Sequence, residues 1–235
     1  LKGHPLIRLG HPFGPPSKVL GSDVSGIVES IGPDVSKFKI NDEVYADTSA
    51  YKYGAFAEYV CVSQDALREK PSSLTFIEAA AIPSAAVLAY QALECIDLDE
   101  SHKVLINGAG GGLGTYAIQI AKSFGAEVTG VDNSFKQKKM KELGADFAIN
   151  YEEVDFVNQG ILYDVIIDCY GARSMKKIKQ SLKQSGYYVF IGGKIRTIFA
   201  TLIASKRKST QNISVLFAKY NDEKYLKKFD IIFQL

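Results

Sequence analysis

The stretch from Val104 to Gly125 limits the fold of this chain more than any other. Val104-Leu105-Ile106 is a short apolar run, and it passes directly into Asn107-Gly108-Ala109-Gly110-Gly111-Gly112-Leu113-Gly114. Leu113, Ala117, Ile120, Ala121 and Phe124 then recur at the spacing of one helix face, and Gly125 stands where the helix should stop. A strand, a glycine-rich turn and an immediate helix make the opening of a βαβ unit. Such a turn is an anion cradle, because successive backbone N–H groups face outward at the positive end of the helix dipole. The register fits A-x-G-x-x-G, with Ala109, Gly111 and Gly114 in the three key places.

The pattern continues in the same style. Val128–Val131 reads as the next strand, and Asp132 ends it. Ser134 is placed to cap a helix running to Leu143, with Gln137 at the capping-box position and Gly144 as the stop. Phe147-Ala148-Ile149, Val165-Ile166-Ile167 and Tyr188–Ile191 read as further strands, with a helix near 174–184. Ile213–Phe217 completes a six-stranded parallel sheet. Before about Asp97 the character differs. Residues 1–18 read as a loop rich in Gly, Pro and His. Ser25–Ile31, Asp42–Tyr45 and Phe56–Val62 alternate with turns, as in a small β-barrel or sandwich. Residues 76–95 read as two helical pieces divided by Pro83, with Glu78 in the first turn. The expected organisation is a partial β-rich domain over 1–93 and an α/β, doubly wound nucleotide-binding domain over 94–235.

The length of 235 residues suits one large domain or two small ones. A formal net charge of +2 gives no argument for nucleic acid or an anionic membrane as partner. No apolar run reaches the roughly 18–20 residues of a membrane span, and no secretory pattern opens the chain. Cys61, Cys95 and Cys169 are odd in number and scattered, which fits a reducing compartment and a cytoplasmic location. The chain starts at Leu1 and stops mid-pattern at Phe233-Gln234-Leu235, which predicts a longer natural protein.

On these motifs the chain resembles the medium-chain dehydrogenase/reductase superfamily, and within it the zinc-independent, quinone-oxidoreductase-like branch. The resemblance is carried by Leu20–Val28, Val35–Val44, Gly54–Val60, Glu78–Pro83, the glycine loop and Glu142–Asp146. It implies a GroES-like catalytic domain beside a Rossmann domain. It also implies hydride transfer from NADP(H) or NAD(H) to a small enone, quinone or carbonyl. A zinc-free alcohol or aldehyde reductase is the neighbouring reading. A dinucleotide-binding scaffold with little or no turnover is the alternative of a different class. A homodimer through the strand at Ile213–Phe217 is the expected assembly.

The resemblance also assigns contacts. Gly110, Gly111, Gly112, Leu113 and Gly114 would meet the pyrophosphate. Asp132 would accept ribose hydroxyls, which favours NAD(H). Lys136 stands where NADP-using relatives hold the 2′-phosphate, unless it belongs to the solvated helix face of Lys138, Lys139 and Lys141. Tyr151 matches an adenosine-side contact. Cys169, Ile191, Gly192 and Gly193 fall in loops that touch the nicotinamide half, with a plain turn as the other reading of Gly192-Gly193. The choice between the two cofactors stays open. Tyr45 and Tyr53 are the candidate oxyanion donors, or else barrel aromatics. Lys206-Arg207-Lys208 reads as a surface turn.

Zinc-dependent relatives carry His-Glu where this chain has Ser22-Asp23, and no four-cysteine lobe is present. His4, His11 and His102 do not supply a three-ligand site, so no metal is expected. Metal analysis of the purified chain is the check, and stoichiometric zinc is the contrary result.

Overall fold

The computed structural model describes residues 18–219 apart from Lys52 and Cys95. His4, His11 and most of the expected opening loop lie outside the described residues. Two compact units divide the chain after Val87, the second being Leu88–Ala218.

The first unit holds an antiparallel sheet of β1 (Asp23–Ile27), β2 (Glu43–Asp47) and β3 (Arg68–Glu69), in that order. Asp23 stands opposite Asp47, and Tyr45 opposite both Ser25 and Arg68. Val44 to Asp47 are buried. The alternation at Phe56–Val62 does not make a strand. Phe56 is 75% exposed and Tyr59 73% exposed. The chain bends at Phe56–Glu58, and neither large side chain finds a core to bury it. Ala55 and Phe56 instead donate N–H bonds to Gly21 O and Leu20 O at 3.1 and 2.8 Å.

Two helices follow, α1 (Phe76–Ala80) and α2 (Ala85–Glu94), separated around Pro83 as expected. A capping box starts α1. The Thr75 hydroxyl accepts the Glu78 N–H at 3.3 Å, and the Glu78 carboxylate accepts the Thr75 N–H at 2.9 Å.

The second unit is the alternating one. Its elements are β4 (Lys103–Asn107), α3 (Gly112–Ser123), β5 (Glu127–Asp132), α4 (Gln137–Glu142), β6 (Phe147–Asn150) and β7 (Tyr163–Asp168). Then come α5 (Met175–Gln180), β8 (Leu182–Phe190), α6 (Ile195–Ser205) and β9 (Asn212–Val215). All neighbouring strands are parallel, in the order β6-β5-β4-β7-β8-β9. The strand order reverses between β4 and β7, and the crevice for a ligand in such sheets lies beyond the carboxyl ends at that point. The core is formed by strand residues such as Leu105, Val131, Ile166 and Phe190 with Phe156 and Ile178 packed on them.

Two further local expectations change. Ser134 does not cap a helix. It opens a 3-10 turn, Ser134–Lys136, with Asn133 at the cap position and no side-chain cap bond there. The helix expected over 174–184 stops at Gln180, and 182–186 join β8. The Ser181 carbonyl accepts the Tyr163 N–H at 2.9 Å, so the sheet takes the backbone that the helix would have used. No side chain caps α6 at Lys194, and its start carries no capping signal in the sequence. Among the described residues no helix is long and apolar enough to cross a membrane.

The joint between β4 and α3 sets the geometry. A Cβ added at Gly114 would lie 2.5 Å from Ala109 Cα and nearer still to Gly108 O. Only glycine lets the helix come this close to the turn that feeds it. Gly114→Val is therefore expected to destabilise the protein by about 3 kcal/mol and lower Tm by roughly 6–12 °C. Thermal unfolding followed by circular dichroism measures this, and an unchanged Tm would contradict the close approach.

Candidate functional site

The turn after β4 leaves backbone donors without protein acceptors. Gly108 and Ala109 donate their N–H groups to Val131 O at 2.9 and 3.1 Å, and Gly111 donates to Gly108 O at 3.1 Å. The first bond of α3 runs from Thr115 N–H to Gly111 O at 3.0 Å. The N–H groups of Gly112, Leu113 and Gly114 therefore have no acceptor among the described residues, since Gly111 at the cap position has no side chain to supply one. A Cβ added at Gly111 would meet only Gly108 O, at 3.3 Å. Outward-facing donors, the dipole of a 12-residue helix and free space in front of them fit a phosphate.

Asp132, at the end of β5, does two things. Its carboxylate accepts the Gly110 N–H at 2.9 Å and the Asn133 N–H at 2.9 Å. It also faces the Lys136 ammonium at 3.3 Å. The two residues that pointed to different cofactors are therefore ion-paired to each other. Lys136 also packs against the loop, because a Cβ at Gly110 would lie 2.7 Å from Lys136 Cβ. Tyr151 follows β6 and donates its backbone N–H to Asp132 O at 3.1 Å, with its side chain half exposed. The glycine loop, Asp132, Lys136 and Tyr151 thus share one corner of the sheet.

The adjoining corner is built on Asp168, the last residue of β7, which has no exposed surface. Its Oδ1 accepts Asn107 Nδ2 at 2.7 Å, the Tyr170 N–H at 3.1 Å and the Gly171 N–H at 2.8 Å. Its Oδ2 accepts the Tyr188 hydroxyl at 2.9 Å. Burial, reinforced by the Asp168 charge, raises the Tyr188 phenol above its ordinary value, so it remains a donor. The Asp168 backbone carbonyl accepts the Ile191 N–H at 3.0 Å, and Asn107 O accepts the Cys169 N–H at 3.0 Å. A Cβ at Gly192 would stand 3.7 Å from Cys169 O. The structure therefore brings Cys169, Ile191, Gly192 and Gly193 together beside the glycine loop.

Burial pushes the Cys169 thiol up to about 12, with Asp168 and Asp132 adding to the shift. It is a neutral wall of the site at ordinary pH and not a thiolate nucleophile. The sequence points to Asp168 only as the first residue of the loop Asp168–Gly171, and it gives Asn107 and Tyr188 no site role. The available signal was an acid closing the apolar run Val165-Ile166-Ile167, a position where an unpaired charge is costly.

The candidate oxyanion donors lie in the first unit. Tyr45 is 1% exposed within β2, and Tyr53 occupies a left-handed turn with φ of 62°. In the same unit Ser22 Oγ donates to Asp23 Oδ2 at 2.6 Å, and Asp23 Oδ1 accepts the Ser84 N–H at 2.7 Å. Burial raises the Asp23 carboxyl above its usual range, against the lowering effect of these two hydrogen bonds. Asp23 thus ties β1 to the start of α2. Among the described residues no three His, Cys, Asp or Glu side chains are grouped to hold a metal ion.

Two family models match the chain: the alcohol dehydrogenase GroES-like domain over residues 4–72 and the zinc-binding dehydrogenase over 112–228. A quinone oxidoreductase from Coxiella burnetii superposes with a TM-score of 0.79 at 30% identity, covering 91% of this chain and 67% of that one. The chain belongs to the medium-chain dehydrogenase/reductase superfamily. Its place is with the quinone-oxidoreductase-like members. The 2-methylene-furan-3-one reductase of Solanum lycopersicum is 35% identical over 185 residues, 75% of this chain and 47% of that protein. The mitochondrial NAD(P)H oxidoreductase RTN4IP1 of Homo sapiens is 41% identical over 138 residues, 57% of this chain and 35% of that protein. The chain spans about half the length or less of these curated relatives.

Within this family member Asp168 is the hub of the ligand-side loops. Asp168→Ala would leave three buried donors, and the part-buried Tyr170 N–H, without this acceptor. The expected loss is about 3–5 kcal/mol of stability, read from urea unfolding. A change under about 1 kcal/mol would mean that the four bonds carry little.

Proposed function

We propose that this chain binds a nicotinamide dinucleotide along the carboxyl ends of β4, β5, β7 and β8. As part of the longer protein that its relatives imply, it would reduce a small quinone, enone or carbonyl. The observation that carries the reading is the uncapped start of α3, where three N–H groups and open space follow a strand at the switch point. The named reductases among the relatives support the substrate class.

In this reading the free N–H groups of Gly112, Leu113 and Gly114 hold the pyrophosphate, Gly110 and Gly111 shape the turn around it, and Gly111 keeps the approach clear. Asp132 meets ribose hydroxyls, or Lys136 swings from Asp132 to a 2′-phosphate. Tyr151 flanks the adenosine side. Cys169, Ile191, Gly192 and Gly193 line the nicotinamide side, held there by Asp168. The bound nicotinamide supplies the hydride. Charge developing on the substrate oxygen calls for hydroxyl or amide donors; Tyr53 stays a candidate in this chain, while Tyr45, buried within β2, fits the barrel-aromatic reading instead.

We assign the catalytic domain to 1–93 and the nucleotide domain to 94–235, with a homodimer formed by strand addition at the open edge of β9, which sedimentation would measure. The free thiols of Cys61 and Cys169 favour a reducing compartment such as the cytoplasm, to be checked against mitochondria by cell fractionation.

Fluorescence titration with NADH and NADPH tests the core of the proposal. Gly111→Leu fits the fold but fills the space in front of the donors. It should weaken both cofactors on the order of 10²–10⁴-fold with Tm nearly unchanged. Lys136→Gln should weaken NADPH roughly 10–100-fold and leave NADH close to the parent value. Parent-like binding by Gly111→Leu would reduce the loop to a turn and remove the main support for oxidoreduction.

A further inference from the structure

The net charge of +2 hides a strong asymmetry along the chain. From Cys169 to Lys219 there are eleven lysines and arginines and not one aspartate or glutamate. Arg173 and Lys183 are absorbed by Asp155 and Asp164, which precede this segment. Arg196, Lys206, Arg207 and Lys208 are exposed, and none has a carboxylate partner among the described residues.

These four cations surround a helix that leaves two large apolar side chains in solvent. The buried residues of α6 are small, Thr197, Thr201 and Ala204. Both threonine hydroxyls are satisfied, Thr197 by Gly171 O and Thr201 by Thr197 O, each at 2.8 Å. Of its large apolar side chains, Ile198 packs against the core, whereas Phe199 is 60% exposed and Ile203 56% exposed. A surface helix ordinarily places its apolar stripe on the core. Arg196, Phe199, Ile203 and Arg207 follow at spacings of three or four, so they form one exposed row. The row is apolar in the middle and cationic at both ends, and Lys206 and Lys208 extend its basic end.

We propose that the outer face of α6, with Lys206-Arg207-Lys208, docks the protein on an anionic lipid surface. Phe199 and Ile203 would enter the boundary between headgroups and acyl chains while the cations meet the headgroup phosphates and carboxylates. Charge complementarity selects this occupant. A second copy would set these cations against each other, with no acid in 169–219 to neutralise them. A nucleic acid would be contacted by the cations, yet its phosphate backbone offers nothing to an exposed isoleucine in the centre of the row. The docking is peripheral and independent of the nucleotide reading.

The test is flotation of the full 235-residue chain with vesicles of phosphatidylcholine alone or mixed with phosphatidylserine. The protein should float with the mixed vesicles, not with phosphatidylcholine, and added salt should release it. Lys206→Gln, Arg207→Gln and Lys208→Gln combined should weaken binding on the order of 10²-fold. Phe199→Ser with Ile203→Ser should weaken it at least roughly tenfold. The charge variant, the lipid comparison and the salt series stand even if the apolar variant does not fold. Failure to float with the mixed vesicles overturns the proposal, as does flotation indifferent to the charge variant. Retention on single-stranded RNA without vesicle binding assigns the cations to nucleic acid and also overturns it. So does self-association that the Phe199 and Ile203 replacements abolish in a chain that never floats.

Discussion

The Asp168 carboxylate is the interaction on which the ligand side of the second unit depends. It is fully buried, and it accepts four hydrogen bonds from Asn107, Tyr170, Gly171 and Tyr188. Those donors come from the end of β4, from β8 and from the loop after β7. A buried anion with no cation is unfavourable unless its lone pairs are filled, and here they are. The same bonds fix where the Cys169–Gly171 backbone turns, and Thr197 of α6 continues the chain through Gly171 O. The geometry that gathers the loops at the switch point is thus electrostatic at its centre and apolar around it.

The neighbouring carboxylate, Asp132, is used differently. It sits at the rim, holds the glycine loop through the Gly110 N–H, and is shared with Lys136. An ion pair with one partner half exposed is weak, so either member can be drawn away by a ligand group at small cost. Two residues that appear in conflict when read singly become one adaptable element. One carboxylate is locked and the other is labile, and the difference lies in the number of donors each has and in how much water reaches it.

The departures from expectation each have a physical cause. At Phe56–Val62 alternation was present but no core lay on either side. At 182–186 the β7 backbone competed with the helix for Ser181 O and won. At Ser134 the preceding carboxylate, Asp132, took the Asn133 N–H, and the segment closed as a 3-10 turn. The first lacks a burying surface, the second is a tertiary partner overriding a local helix preference, and the third is a bond between adjacent residues. α6 is the surface case. Its apolar residues suffice to make a helix, but their spacing does not say which face meets the sheet; Ile198 packs on the core beside the buried threonines while Phe199 and Ile203 stay outside.

Much was legible in the residues alone. The strand–glycine–helix joint, the alternation behind it and the acid closing the second strand were readable because each is local: glycine spacing, apolar period and chain direction leave few alternatives. Gly111, Gly114 and Asp132 could be named because their chemistry follows from their position in that motif. Ion pairing of Asp132 with Lys136, the burial of Asp168 and the outward turn of Phe199 and Ile203 were decided only when the chain packed. These depend on which distant backbone donor, carboxylate or core surface arrives beside a side chain. Sequence spacing fixes neighbours along an element, whereas three-dimensional packing selects the neighbours across it.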